Sequence, residues 1–144
     1  MLDIQTAITI RAPQPTVAAI YRNYRDWLRA FPTIKAVRLM REEPGKHILE
    51  IDHQEGRVVN ILTDVSPAQI ELQEWKKRYD ATFVNRFEAI PEGTRFTLAA
   101  DISLKGVYKL RAPFLHGYIR KLMTDLVLDP IRKVAEDRQS NMGM

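Results

Sequence analysis

The sequence predicts an α+β fold in which a seven-stranded antiparallel sheet wraps round one long C-terminal helix, with two short helices after the first strand. Three observations carry this. From Pro113 to about Gln139, a helical wheel places Leu115, Ile119, Leu122, Met123, Leu126 and Val127 on one side and Lys121, Asp125, Asp129, Arg132 and Glu136 on the other. Such a helix would run about 40 Å, so its apolar stripe needs a wide apolar surface to lie in. Upstream, alternating segments are joined by connections so short that neighbouring strands must be antiparallel. A curved sheet gripping a long helix often leaves a cavity between the two.

Composition sets the background. A chain of 144 residues is read as one domain, large enough to bury a core without staples. It has no cysteine, which excludes disulfides, thiolate metal sites and thiol nucleophiles. Met1 to Ile10 alternates rather than forming a signal-peptide core, and no apolar run is long enough to span a bilayer, so a cytoplasmic protein is expected. The net charge of +4 is spread along the chain and reads as a solvated surface.

Taken in order, Asp3 to Arg11 puts Ile4, Thr6, Ile8 and Ile10 on one face, the period of a half-buried strand. Pro13 and Pro15 should hold the backbone extended and stop it. Val17, Ile20, Tyr21 and Tyr24 then recur at helical spacing, and a second helix from Tyr24 to about Ala30 ends at Pro32. Arg22, Arg25 and Arg29 form a basic stripe, read as a solvated face that could attract an acidic headgroup or nucleic acid. Strands follow at Val37–Glu42, His47–His53, Arg57–Val65, Gln69–Trp75, Tyr79–Ile90 and Thr94–Leu104. Their turns carry Pro44-Gly45, Glu55-Gly56, Ser66-Pro67, the basic tract Lys76-Lys77-Arg78, and Pro91-Glu92-Gly93. A link through Gly106 and Tyr108 reaches Pro113. Within the closing helix, Asp129-Pro130 should bend or break the regular turns, because Pro130 has no N–H and crowds the carbonyl of Leu126.

This order of elements resembles the START-like superfamily, also called SRPBCC or helix-grip, and within it the polyketide cyclase/dehydrase and lipid-transport group. The residues that carry the resemblance are Ile8-Thr9-Ile10-Arg11-Ala12-Pro13 leading into helix one, and Tyr24 to Pro32 before a strand. Phe87-Glu88-Ala89-Ile90-Pro91 before Gly93-Thr94-Arg95-Phe96, and the closing amphipathic helix, complete it. The resemblance spans nearly the whole chain and implies a single START-like domain over 1–144 with a hydrophobic pocket between sheet and helix. It does not imply one activity, since members include lipid carriers, aromatic polyketide cyclases, coenzyme Q-binding proteins and co-chaperones. The sixth strand, Tyr79 to Phe87, lacks the glycine and tryptophan often seen in the coenzyme Q-binding branch, which speaks against a quinone.

Signatures of catalysis are sparse. His47 and His53 share a strand face but lie about 20 Å apart along an extended chain, too far to grip one ion, and His116 opens the last helix. With no His-Glu-x-x-His pattern and no acidic calcium loop, no metal and no cofactor is expected. Ser66, Ser103 and Ser140 have no activating context, and the six glycines form no phosphate loop. Asn85 shares the face of Phe83 and Phe87, so its amide is bonded within the core, bonded to water, or aimed at a ligand. His53, on the face of Leu49 and Ile51, could serve as a general base, but beside the turn at Gly56 it reads more naturally as a loop histidine. The residues expected to meet a ligand are Leu49, Ile51, His53, Ile61, Phe83, Asn85, Phe87, Leu98, Leu122, Met123 and Leu126.

The function expected on these grounds is binding or carriage of a hydrophobic small molecule such as a lipid, a polyketide or another aromatic, because an apolar pocket with few polar groups suffices for that. The partners expected are that molecule and, transiently, a membrane surface, with no nucleic acid. A polyketide cyclase or dehydratase would need a convergent acid–base pair. A protein-interaction module would use the outside of the long helix.

Overall fold

In the computed structural model, which describes residues 2–53 and 56–142, seven strands form one antiparallel sheet in the order β1-β7-β6-β5-β4-β3-β2. They are β1 (Leu2–Ile10), β2 (Ile34–Glu43), β3 (Lys46–His53), β4 (Gly56–Ser66), β5 (Gln69–Trp75), β6 (Tyr79–Ile90) and β7 (Gly93–Leu104). Strands β2 to β7 are a simple meander. The chain leaves β1 through α1 (Gln14–Arg22), a 3₁₀ turn (Tyr24–Asp26) and α2 (Trp27–Ala30), which carry it across the sheet to the opposite edge. A 3₁₀ segment (Gly106–Arg111) then leads into the closing helix, α3 (Ala112–Met123) and α4 (Asp129–Met142). The Glu55 half of the expected Glu55-Gly56 turn, like Met1, lies outside the described residues.

The two edges of the β6–β7–β1 corner are locked by backbone proximity. Gly93 has φ of 140°, and a Cβ there would overlap Ile10 O and stand 2.9 Å from Ala12 N. Beside it, the buried Thr94 hydroxyl donates to Ala12 O at 2.7 Å. Only glycine allows the β6–β7 turn to press so closely on the end of β1.

One detail departs from the sequence reading, and a second gives the form of the break expected at Asp129-Pro130. Pro13 is extended, but Pro15 lies inside the first turn of α1, where its missing N–H has no helical partner to lose. The closing helix does not stop at Pro130. Instead, Thr124–Leu128 adopts a π turn, with the Asp129 N–H donating five residues back to Thr124 O. The regular pattern therefore yields just upstream of Pro130, where a proline leaves a carbonyl without its donor, and the helix resumes beyond it.

The interior is filled at one end and open at the other. Tyr21, Trp27, Phe31, Phe87 and Phe96 pack edge-on or tilted, with Phe87 and Phe96 stacked at 4.8 Å, and the Trp27 indole N–H donates to Tyr21 O at 2.9 Å. Against this end lie Leu128, Ile131 and Ala135, all fully buried, where the helix packs on α1 and β1. Most of α3 behaves differently: of its residues only Met123 is buried, and beneath it the sheet and helix do not close.

Candidate functional site

Between the concave face of the sheet and α3 lies a cavity of about 480 Å³. The alternation of β3, β5, β6 and β7 sends Ile51, Leu72, Phe83, Leu98 and Ile102 into it from one side. Leu115, Ile119, Leu122, Met123 and Leu126 enter from the helix. Leu126 and Val127, within the π turn, line the cavity as well.

Of the residues expected to meet a ligand, Ile51, His53, Phe83, Leu98, Leu122, Met123 and Leu126 line this cavity. The other four are placed elsewhere. Leu49 is fully buried in the core and Phe87 is stacked on Phe96 at the filled end. Asn85 is fully buried beside the Tyr21 hydroxyl, with its amide nitrogen donating to Ile70 O at 3.3 Å, so it is a core amide rather than a cavity wall. Ile61 corrects the reading of β4. That strand is apolar on both faces, and the face turned inward is Val58, Asn60 and Leu62, leaving Val59 exposed and Ile61 on the outer side with it.

Sequence reasoning missed a polar wall. Asn60 lines the cavity and is fully buried; its nitrogen donates to Val58 O at a long 3.4 Å. Its oxygen meets no hydrogen-bonding group among the described residues. Directly opposite it in the β4–β5 register stands Glu74, also buried and also lining the cavity. The Tyr79 hydroxyl donates to Glu74 Oε1 at 3.2 Å, and Lys76 Nζ approaches the same oxygen at 3.7 Å. Burial pushes the Glu74 carboxyl above its ordinary range, and the opposing pull of Lys76 and Tyr79 is the smaller effect. Glu74 was legible in principle, since Ile70, Leu72 and Glu74 share one face by period two. In the tract Lys76-Lys77-Arg78, Lys77 and Arg78 are exposed while Lys76 is partly covered and lies over the Tyr79 ring; both Lys76 and Arg78 line the cavity.

Burial also holds the Tyr21 hydroxyl far above the usual phenol range; the Asn85 amide opposes that shift and the Glu74 carboxyl adds to it. The cavity therefore has an apolar body and one polar wall. Among the described residues no cluster of side chains is arranged to hold a metal ion.

On the outside, α3 and the segment before it present an unusual face. Val107, Leu110, Phe114 and Tyr118 are between 61% and 84% exposed, one after another along successive turns. They alternate with Tyr108, Arg111 and Leu115 of the cavity wall, and Tyr118 belongs to both, so the exposed apolar face and the cavity meet at one border. Between Asp101 and Asp125 the chain has no acidic residue, but it has Lys105, Lys109, Arg111, Arg120 and Lys121. No helix among the described residues is long and apolar enough to cross a membrane.

No protein-family model matches the chain, and no curated protein does. Solved structures do. The di-domain ARO/CYC StfQ from the steffimycin biosynthetic pathway superposes with a TM-score of 0.77 at 13% identity, over 96% of this chain and 51% of that one. The chain thus spans about half the length of that di-domain protein. The Zhui aromatase/cyclase from Streptomyces sp. R1128 gives 0.76 at 13% identity, over 95% and 94% of the two chains. A START superfamily protein from Mycobacterium smegmatis gives 0.65 at 17% identity, over 97% and 98%. At these identities the likeness is one of fold, and the protein has the helix-grip fold of the START-like superfamily.

Proposed function

We propose that the protein binds and carries a hydrophobic small molecule in the cavity between sheet and α3, and exchanges it at an anionic membrane surface. The observation that carries this is the cavity itself. Its volume of about 480 Å³ lies within the range of small-molecule sites, and its walls are mainly aliphatic and aromatic. A void of that size under an otherwise packed fold sacrifices dispersion contacts that a filled core would keep, which is reasonable where a ligand supplies them.

The membrane half of the reading rests on the face bordering the cavity. Exposed Val107, Leu110, Phe114 and Tyr118 can enter the interfacial region, while Lys109, Arg111, Arg120 and Lys121 supply about 1 kcal/mol each near anionic headgroups. A ligand leaving the bilayer there would meet the cavity wall at Tyr108, Leu115 and Tyr118.

The test uses N-phenyl-1-naphthylamine, an uncharged apolar fluorophore, and vesicles of phosphatidylglycerol or phosphatidylcholine. Saturable binding at one probe per chain, with co-sedimentation on phosphatidylglycerol vesicles that Leu110→Asp and Phe114→Asp abolish, is the expected result. Absence of saturable probe binding removes the carrier reading. Probe binding without vesicle association removes the membrane half and favours a protein partner on α3.

One observation favours a second reading. Glu74 with Tyr79 forms a convergent pair of titratable groups on the cavity wall, which a cyclase or dehydratase of polyketide-like substrates would need. Turnover of an aromatic polyketide mimic by the parent, abolished in Glu74→Gln with probe binding retained, would place the enzyme reading first.

A further inference from the structure

We infer that Asn60 and Glu74 form a subsite for an uncharged hydroxyl, alcoholic or phenolic, on the apolar ligand proposed above; the inference rests on that reading of the cavity.

The β4–β5 register sets Asn60 directly across from Glu74 on the inward face. Residues opposed in this way have Cβ atoms about 5 Å apart, so one small group can touch both side chains. Each side chain has one end committed and one end available. The Asn60 nitrogen faces Val58 O at 3.4 Å, which fixes the orientation of the amide and leaves Oδ1 as an acceptor with no partner among the described residues. At Glu74, both the Tyr79 hydroxyl and Lys76 Nζ address Oε1, so Oε2 is the oxygen available to a ligand. No hydrogen bond joins Asn60 and Glu74 to each other, so they do not satisfy themselves across the strand pair.

The chemistry of the two ends selects the group. A buried acceptor demands a donor. Burial favours the protonated form of the Glu74 carboxyl, and in that form Oε2 offers a donor as well as acceptor capacity. The smallest group that donates to one and accepts from the other is a hydroxyl. An ether or ketone would accept only and leave Asn60 Oδ1 unpaired. A carboxylate would bring a second acidic group against Glu74 and an acceptor against Asn60. An ammonium group would be set beside Lys76, whose Nζ already stands 3.7 Å from Glu74. Farther out, Ile51, Leu72 and Phe83 provide the apolar body site.

The experiment is displacement of N-phenyl-1-naphthylamine from the intact protein by two matched pairs: 6-hydroxyflavone against 6-methoxyflavone, and dodecan-1-ol against 1-methoxyundecane. In at least one pair the hydroxyl compound should bind about tenfold or more tightly than its ether, because a site built for a hydroxyl penalises a ligand that lacks the donor. In Asn60→Leu that preference should fall to about twofold or less. If no pair shows a preference in the parent while the probe binds, the subsite is wrong and the cavity reading stands. If the probe itself fails to bind, both fall. Should Asn60→Leu not fold, the parent comparison and Glu74→Gln, which keeps the side-chain shape, decide the matter: an unchanged preference in Glu74→Gln removes Glu74 from the subsite and overturns the pair.

Discussion

Truncating two leucines on the same helix separates a void from a packed core. Leu128 is fully buried at the filled end, whereas Leu122, six residues earlier, is half-buried and lines the cavity. Replacing a fully packed leucine by alanine removes the transfer energy of its methyl groups and opens a new hole, costing about 3 kcal/mol or more. At Leu122 the space beside the side chain is already open, so only about half of a leucine's burial energy is lost and no new hole is made, about 1 kcal/mol. For a chain of this size each kcal/mol lowers the melting temperature by about 4 °C. Leu128→Ala should therefore melt about 12 °C below the parent and Leu122→Ala about 4 °C below, measured by calorimetry without probe. The helix-propensity change is identical in the two variants and cancels in the comparison. Equal losses, or a larger one at Leu122, would refute the claim that α3 spans an open space.

Three other outcomes follow from the geometry. Met123→Trp should cost well under the 1–3 kcal/mol of an overpacked core, because the indole can extend into the cavity, and it should weaken probe binding in the same fluorescence titration. Glu74→Gln should stabilise the fold at neutral pH. The folded carboxyl has its pKa raised above the ordinary 4.5, so the parent's stability is fully present below that value and declines as pH rises towards the folded pKa. The melting-temperature gain of the variant over the parent should thus be absent at acid pH and grow above about pH 4.5; a gain that is constant with pH would show that burial does not raise the Glu74 pKa. Gly93→Ala should cost about 2–3 kcal/mol, seen in thermal melts, since its methyl would meet backbone atoms of Ile10 and Ala12 that cannot yield.

How far the sequence reaches differs between elements for physical reasons. Gln69–Trp75 and Tyr79–Ile90 are found at their observed bounds because one face of each is apolar and proline, glycine or basic residues mark the turns. β4 could not be oriented, since Val58 and Leu62 compete with Val59, Ile61 and Val65 for the inside. Periodicity then says nothing about Asn60, which takes the inward face between Val58 and Leu62. The second half of the closing helix looks weak on a wheel, where the stripe thins to Ile131 and Val134. Yet it is the more buried half: Ile131 and Ala135 are fully buried where α4 lies against α1. The first half looks strong, yet its leucines border a void. Apolar side chains obey the same spacing whether they touch each other or surround a space, so the cavity was not legible. Glu74 was: its place two residues beyond Leu72 puts a carboxyl on an inward face, and a buried carboxyl is a signal for chemistry or recognition.

The central claim, that an apolar ligand enters the space under α3, can be read at single methyl groups. The chain has five methionines, of which Met123 lines the cavity and is 4% exposed while Met40 lies on β2 at 57% exposure. A carbon–proton NMR titration of methyl-labelled methionine with N-phenyl-1-naphthylamine reports on both at once. The Met123 methyl resonance should shift and saturate at one equivalent, with Met40 unmoved. A Met123 resonance that stays in place while the probe binds would contradict the account.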